Sequence, residues 1–287
     1  MQRLKKFLPK RFRKEGVVIP VVRLHGTIMA GGSAFRPALN IATAAPVLER
    51  AFAVKDAPAV AISINSPGGS PVQSRLIFQR IRDLAVEKNK KVLIFVEDVA
   101  ASGGYMIALA GDEIIADATS IVGSIGVVSG GFGFPELLRK IGVERRVYTA
   151  GENKVLLDPF QPEKEKDVEF LKTLQADIHA IFIDMVKSRR GTKLSDEDTI
   201  FSGLFWTGTR GLDLGLIDGL GDLRGELKKR YGTHVRLQLV SASRGLFGRK
   251  QPGVSVSSDA AGQFASAAVS AVADLAEEKA LWGRFGL

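Results

Sequence analysis

The chain has 287 residues, 45% of them hydrophobic and 7% aromatic, which is enough to bury the core of one large domain or two smaller ones. It contains no cysteine, which excludes disulfides, thiol nucleophiles and thiolate metal sites. The net charge of +9 suggests a nucleic-acid partner, but seven basic residues and no acidic one fall in the first 14 positions, so the remainder carries only +2.

The basic N-terminal arm, residues 1–16, combines these charges with the apolar residues Leu4, Phe7, Leu8 and Phe12. This combination favours an anionic membrane surface, and because no stacking motif or basic recognition helix accompanies it, we expect no nucleic-acid partner. A solvated tail is the alternative. No apolar run is long enough for a transmembrane helix, and the run after the arm is too short for a signal peptide. The sequence therefore predicts a cytoplasmic protein that touches the inner membrane peripherally.

Short β-branched runs alternate with longer helical patterns along the chain. The predicted strands are Val17–Leu24, Ala59–Ile64, Lys91–Val96, Glu113–Ala116 and Ser124–Val128. The predicted helices are Thr43–Val54, Pro71–Glu87, Gly103–Ala110, Pro135–Ile141 and the long Glu163–Arg189. This alternation predicts an α/β fold with a mainly parallel sheet.

Two glycine-rich turns follow neighbouring predicted strands. One is Asn65–Ser70, and the other contains Ser102 followed by Gly103 and Gly104. Parallel strands bring such turns together at their carboxyl ends, where ligands bind. A serine at the start of a helix presents its hydroxyl, while nearby backbone N–H groups receive a developing oxyanion. One Gly-Gly turn alone is more simply a tight connection, but two on neighbouring strands favour a site.

The composition limits the chemistry that Ser102 performs. A serine triad needs a histidine, and His25, His179 and His234 lie in segments without recognisable catalytic surroundings. The sequence contains neither a His-Glu-x-x-His motif nor a Walker-type loop, so it predicts no metal and no cofactor.

Lys154 is the remaining candidate for a base, provided that desolvation keeps it neutral. Ser124 lies in an otherwise apolar run, so its hydroxyl needs a partner. An amine is one candidate for that partner and a backbone group is the other.

Several ordered motifs resemble those of the signal peptide peptidase family of serine proteases, most closely its short SppA and SohB branch. They are Ser66–Gly69, Ala101–Tyr105, Gly123–Val127, Gly151–Lys154, Trp206–Gly208 and Gly215–Asp218. The resemblance runs from about Val17 to Val240. It implies a ClpP/crotonase-like fold of repeated β-β-α units and peptide-bond hydrolysis by a Ser-Lys dyad.

By this resemblance Ser102 is the nucleophile and Lys154 the general base. The backbone N–H groups of Gly69 and Gly103 form the oxyanion hole, and Ser124 orients the lysine. Family members form rings or domes and cleave signal peptides and other short apolar segments, so we expect a homo-oligomer with signal-peptide-like peptide substrates. The chain departs from the pattern because it shows no N-terminal membrane anchor, and because Glu152, two residues before Lys154, would favour a charged lysine if it pointed inward.

The sequence divides into the basic N-terminal arm at 1–16, a peptidase domain at 17–240, a linker at 241–259 and a C-terminal helical tail at 260–287. Two other functions stay open. The first is a crotonase-like acyl-CoA enzyme in which Ser102 is dispensable. The second is a catalytically silent oligomeric scaffold at the membrane, in which Lys154 is an ordinary surface lysine.

Overall fold

The computed structural model describes residues 16–31, 38–241 and 278–287. Its strands are β1 (Val18–His25), β2 (Ala59–Ser66), β3 (Lys91–Ala101), β4 (Glu113–Ala116), β5 (Ile121–Gly123), β6 (Phe205–Thr207), β7 (Gly219–Leu220) and β8 (Arg236–Leu239). Its α-helices are α1 (Ile41–Phe52), α2 (Pro71–Lys88), α3 (Gly103–Ala108), α4 (Pro135–Lys140), α5 (Glu165–Arg190), α6 (Gly208–Asp213), α7 (Leu223–Tyr231) and α8 (residues 278–283). The predicted arm before Gly16, the linker after Ser241 and the tail before residue 278 lie outside the described residues.

All eight strands belong to one sheet, whose main order is β6-β5-β3-β2-β1-β8. Every pairing among the described strands is parallel except the one between β5 and β6. The long strand β3 pairs with β4 through Leu93–Val96 and with β5 through Val99–Ala101. This sheet confirms the predicted α/β class with a mainly parallel sheet.

The central strands are buried on both faces, as their continuous apolar character predicts. On one face, β1, β2 and β3 pack against apolar side chains of α1, α2, α3 and α5. On the other face, residues such as Ile19, Ala61 and Phe95 pack against Leu227 of α7. A small separate cluster at the end of β3 is covered by the C-terminal residues of the chain. Both layers thus fix the end of β3, where Ser102 follows.

The predicted strand Ser124–Val128 is wrong. The strand is instead β5, which ends at Gly123. Gly123 has φ 102° and Ser124 has φ 53°, so two successive residues leave the extended conformation and turn the chain away from the sheet. The other four predicted strands and five predicted helices are present, with ends that shift by a few residues; β3 is the largest shift because it continues to Ala101.

Residues 128–164 form a segment, here called the lysine arm, in which no residue is buried. The amide of Phe134 donates a 2.6 Å hydrogen bond to Pro159 O, and the rings of Phe134 and Phe160 lie 5.5 Å apart. The arm is therefore folded on itself. Its large exposed apolar side chains are Val128, Phe132, Leu137, Ile141, Val143, Val147, Tyr148 and Leu157.

Candidate active site

Ser102 lies in the sharp turn between β3 and α3. Its backbone has φ 52° and ψ −121°, a conformation that costs a non-glycine residue about 1–3 kcal/mol. The surrounding backbone holds this conformation, because the Ser102 amide donates a 2.8 Å hydrogen bond to Gly123 O and Ser102 O accepts a 2.9 Å bond from the Met106 amide. The Ser102 hydroxyl does not cap α3, and the residue is partly exposed. It is thus free to face a substrate.

The second glycine turn lies directly against Ser102. A β-carbon placed on Gly68 would lie 2.8 Å from Ser102 Cβ and 2.8 Å from the Gly103 nitrogen. The following residue, Gly69, bridges to Ile28, whose amide donates to Gly68 O at 2.8 Å and whose carbonyl accepts from Ser70 N at 2.7 Å. The prediction that the two turns meet at the ends of neighbouring parallel strands is confirmed.

Two uncommitted N–H groups face this junction. Gly103 is the first residue of α3, so its amide has no partner within the helix. The amide of Gly69 donates no hydrogen bond to another residue in the described part of the chain. A β-carbon on Gly103 would lie 3.4 Å from the Gly69 nitrogen, so the two groups are close. Converging donors beside a serine are what an oxyanion hole requires.

Ser74 is a supporting residue that sequence reasoning missed. Its hydroxyl is buried and donates a 2.8 Å hydrogen bond to Ser70 O in the first turn of α2. A β-carbon on Gly103 would collide with Ser74 Oγ, so this serine lies directly behind the candidate oxyanion hole. The one available signal was its position four residues after Ser70, which matches a hydroxyl bonding back to the preceding turn.

Ser124 lies close to Ser102, because it follows Gly123 directly. It is buried, and its amide donates a 2.7 Å hydrogen bond to Leu204 O. Its hydroxyl has no hydrogen-bond partner among the described residues. His179 Nε2, from α5, lies 3.0 Å from Ile125 O, which is a hydrogen-bonding distance. This contact holds Ile125, the residue after Ser124, in place. The position of Ser124 suits the lysine-orienting role that the resemblance gives it, which stays a prediction.

Lys154 is not joined to this cluster within one chain. It lies in a turn of the lysine arm, where its amide donates to Gly151 O at 3.3 Å, and its side chain is exposed. In the described residues, its ammonium group forms no hydrogen bond or ion pair, either with Ser102 and Ser124 or with Glu152. A single chain therefore does not supply the dry surroundings that a neutral lysine needs.

The motifs that follow Ser102 in the sequence contribute residues with structural contacts around the site. The buried Tyr105, in α3, donates a 2.7 Å hydrogen bond to Leu216 O, and burial raises the pKa of its hydroxyl. Trp206 lies over Gly123, where a β-carbon would lie 2.7 Å from its ring. Asp218 accepts from the amide of Ile114 at 2.8 Å. These contacts give the motifs a structural role next to the nucleophile.

Asp218 is also the centre of a buried ion-pair network. The guanidinium of Arg190 donates to both its carboxylate oxygens, at 2.8 and 3.1 Å, and Lys193 donates at 2.6 Å. Burial raises the pKa of Asp218, but the hydrogen bonds from Arg190 and Lys193 outweigh this, so that its pKa lies below the ordinary value. The network joins the end of α5 to the loop before β7.

A second cluster of serine, histidine and carboxylate occurs on the sheet face opposite α3. His25 Nε2 lies 3.0 Å from Ser63 Oγ and 3.5 Å from Glu97 Oε1, and Ser63 donates a 2.5 Å hydrogen bond to Glu97. A triad uses both ring nitrogens, with the histidine between serine and acid, whereas here one nitrogen faces both partners. Ser63 is also 1% exposed. The cluster therefore cross-links β1, β2 and β3 and is not a second active site.

The family of the chain follows from its similarity to known proteins. Residues 85–234, just over half of the chain, match the model of peptidase family S49. The chain belongs to this family. This match confirms the resemblance to the SppA/SohB family of serine proteases that the motifs indicate.

Three known proteins illustrate the similarity of this chain to others. A Brucella abortus protein named Na(+)/H(+) antiporter NhaA is 66% identical over 286 residues, which cover 99% of this chain and 39% of that protein. The chloroplastic serine protease SPPA of Arabidopsis thaliana is 32% identical over 232 residues, covering 76% of this chain and 34% of that protein. Protease 4 of Haemophilus influenzae is 31% identical over 224 residues, covering 77% and 36%. The chain thus spans less than two fifths of each relative's length.

The antiporter name belongs to the whole Brucella protein, of which this chain spans 39%. Within the ranges that the structure describes, no helix combines the length and the apolar character needed to cross a membrane.

Proposed function

We propose that this chain is a serine endopeptidase in which Ser102 and Lys154 form the catalytic dyad. The observation that carries the proposal is the convergence of the free amides of Gly69 and Gly103 beside the strained backbone of Ser102. A strained serine next to two N–H donors is suited to acyl transfer, because the donors stabilise charge that develops only during the reaction.

The proposed reaction proceeds through an acyl-enzyme. Ser102 Oγ attacks the carbonyl carbon of the scissile peptide bond while the neutral amine of Lys154 accepts its proton. The carbonyl oxygen becomes an oxyanion that accepts hydrogen bonds from Gly69 and Gly103. The resulting ammonium group gives the proton to the leaving amine, and a water molecule then hydrolyses the ester. Ser124 is assigned to hold the lysine toward Ser102.

We further propose that the site is completed by a second copy of the chain. Lys154 is exposed in the single chain and lies in an arm with eight large exposed apolar side chains, which include Phe132 and Tyr148. Such a surface is typical of an interface, and its burial against a neighbour would also remove water from the lysine. The protein is then a homo-oligomer in which the lysine arm of one protomer reaches Ser102 of the next.

The proposed substrates are signal-peptide-like and other short, apolar, extended peptides. This class follows from the family resemblance, and it agrees with the large exposed apolar side chains on the arm that carries Lys154. Extended peptides also suit a site at the carboxyl ends of a sheet, where backbone groups are available to pair with a peptide.

Reaction with a fluorophosphonate probe tests the dyad. The wild-type protein should be labelled at Ser102, Ser102→Ala should show no labelling, and Lys154→Ala should react far more slowly. Lys140→Ala is the matched control, because Lys140 is an exposed lysine on the same arm. Equal labelling of the wild type and both dyad variants would exclude the dyad, and binding of acyl-CoA would then favour the acyl-thioester alternative.

Mixing inactive variants tests the shared site. If the lysine comes from a neighbour, a mixed oligomer of Ser102→Ala and Lys154→Ala regains labelling, because Ser102 of one variant meets Lys154 of the other. A dyad within one chain predicts no recovery on mixing.

We also propose a peripheral contact between the basic residues 1–14 and anionic membranes. The proposal rests on seven positive charges interspersed with apolar residues in this stretch. Sedimentation with vesicles should show binding to anionic lipid and little binding to neutral lipid, with release at high salt. Equal binding by protein that lacks residues 1–14 would contradict the proposal.

A further inference from the structure

The C-terminal end of the chain packs beneath the strand that leads to Ser102. Phe285, which is 7% exposed, forms an apolar cluster with the fully buried Val99 and Ala101 of β3. Trp282 of α8 and Ile121 of β5 flank this cluster. Ala101 is the residue immediately before Ser102, so the ring of Phe285 supports the backbone at the point where the strained turn begins.

Phe285 also contacts the strand on the other side of the site. Its ring meets that of Phe205 edge-to-face, with centroids 5.0 Å apart and an interplanar angle of 71°. Phe205 pairs with Gly123 across β5 and β6, and Gly123 O accepts the hydrogen bond from the Ser102 amide. One side chain thus touches both segments whose separation sets that hydrogen bond.

The contacts of Phe285 matter for the site because the backbone of Ser102 is strained. A strained backbone conformation of this kind persists only when its surroundings hold it in place. Without the ring, Ala101 and Phe205 lose a shared neighbour, and the Ser102 turn gains room to relax. The serine hydroxyl would then lose its alignment with the amides of Gly69 and Gly103, although neither amide is altered.

We propose that Phe285 is a positioning residue for the reaction, acting through Ala101 and Phe205 on the backbone of Ser102. This inference rests on the proposed function, because it assumes that Ser102 is the nucleophile. It assigns a catalytic contribution to the end of the chain, more than 180 residues after the serine in sequence.

The test compares Phe285→Ala, Phe285→Leu and, as matched control, Leu287→Ala, which removes an exposed side chain from the same segment. Labelling with the fluorophosphonate probe to completion counts the competent sites, and the labelling rate per competent site reports on alignment. A loss of folded protein lowers the count, whereas a loss of alignment lowers the rate. Steady-state cleavage of a signal-peptide-like peptide gives kcat and KM for each protein.

We expect Phe285→Ala to lower kcat and the rate per site about ten- to a hundredfold, with KM within twofold, because misplacement of a reacting group by an ångström has this effect. Phe285→Leu keeps the apolar contact with β3 and should lose less. Phe205→Leu should lower the rate per site as much as Phe285→Leu does. The double variant Phe285→Leu/Phe205→Leu should lose less than the two single losses combined, since each substitution removes the same ring pair. Leu287→Ala should match the wild type.

Two results would be decisive against the proposal. If Phe285→Ala reacts at the wild-type rate per competent site, the residue has no positioning role. If Phe285→Ala yields too few sites to measure, an unchanged rate in both Phe285→Leu and Phe205→Leu overturns it instead. A wild-type protein that is not labelled at Ser102 at all would refute the proposed function and is thereby distinguished from either result.

Discussion

The hydroxyl of Tyr105 donates a 2.7 Å hydrogen bond to Leu216 O, which lies 111 residues further along the chain. Both groups are fully buried. The bond joins α3, which begins next to Ser102, to the loop before β7, where Asp218 holds the ion-pair network. Two motifs that are far apart in the sequence therefore support one another directly behind the nucleophile.

Tyr105→Phe should destabilise the protein without changing its shape. The substitution keeps the ring but leaves Leu216 O without its partner, and an unsatisfied buried acceptor costs about 1–3 kcal/mol. Urea unfolding at neutral pH measures this loss. Tyr148→Phe is the matched control, because that hydroxyl lies on the exposed lysine arm, and it should unfold like the wild type. Equal stability of Tyr105→Phe and the wild type would mean that the bond contributes nothing.

Gly123→Ala should impair both stability and catalysis. The residue has φ 102°, which disfavours any side chain, and the new β-carbon would lie 2.7 Å from the ring of Trp206. We expect a loss of about 1–3 kcal/mol of unfolding free energy from the backbone conformation alone. Because Gly123 O binds the Ser102 amide, the labelling rate per competent site should also fall. Gly130→Ala, in open space on the lysine arm, is the control.

The sequence predicts the scaffold of the site well, for a physical reason. Parallel strands end at the same edge of a sheet, so the alternation of strands and helices already brings Gly69 and Ser102 together. The left-handed turn after Gly123 was not predictable, because the apolar run at 121–128 has the composition of a strand. Only the contacts of Trp206 and Leu204 show why the strand ends early.

The tertiary contacts that support the site could not be predicted from the sequence either. Phe285 packs on Ala101 across nearly two thirds of the chain, and no local pattern encodes such a pairing. Lys154 shows a different limit. Spacing and motif select it as the base, but its exposure in the single chain is a property of the fold, and whether a neighbour covers it depends on assembly. Local rules thus identify candidate groups, whereas tertiary contacts determine their environment.

Arg190→Met should be strongly destabilising. It removes the buried guanidinium from Asp218, whose side chain is 11% exposed, and breaking a buried ion pair from one side costs up to about 3–5 kcal/mol. Lys193→Met is the control, because this second partner is 54% exposed, and loss of such a pair should cost about 1 kcal/mol or less. Urea unfolding at neutral pH compares the two variants, and equal losses would contradict the central role given to Arg190.

The pair of Arg190 and Asp218 also predicts how the unfolding free energy depends on pH. The pKa of Asp218 is lowered in the folded chain, so its stabilising contribution is present above the ordinary carboxyl value of 3.8 and is lost as the pH falls through the folded value. In Arg190→Met the effect of burial on the Asp218 pKa is opposed mainly by Lys193 and the Ile114 amide, so the lowering of the pKa and this part of the acid-induced loss should shrink. Parallel unfolding curves from pH 7 to pH 3 measure it, and identical slopes in both proteins would refute the assignment.

His25 should make the protein less stable just below neutral pH. Burial lowers the pKa of His25 and outweighs the opposing effect of Glu97, while Arg23 lowers it further and Asp98 raises it slightly. The folded chain therefore binds this proton less readily than the unfolded chain. The stabilising contribution is present above the ordinary value of 6.5 and is lost as the pH falls from there through the folded value.

His25→Gln retains an N–H donor for Ser63, so its unfolding free energy should depend less on pH over this interval. His234→Gln, at an exposed position, should keep the wild-type slope. Unfolding curves at several values between pH 5 and pH 8 distinguish the proteins, and a wild-type slope in His25→Gln would show that the His25–Ser63–Glu97 cluster is not linked to protonation.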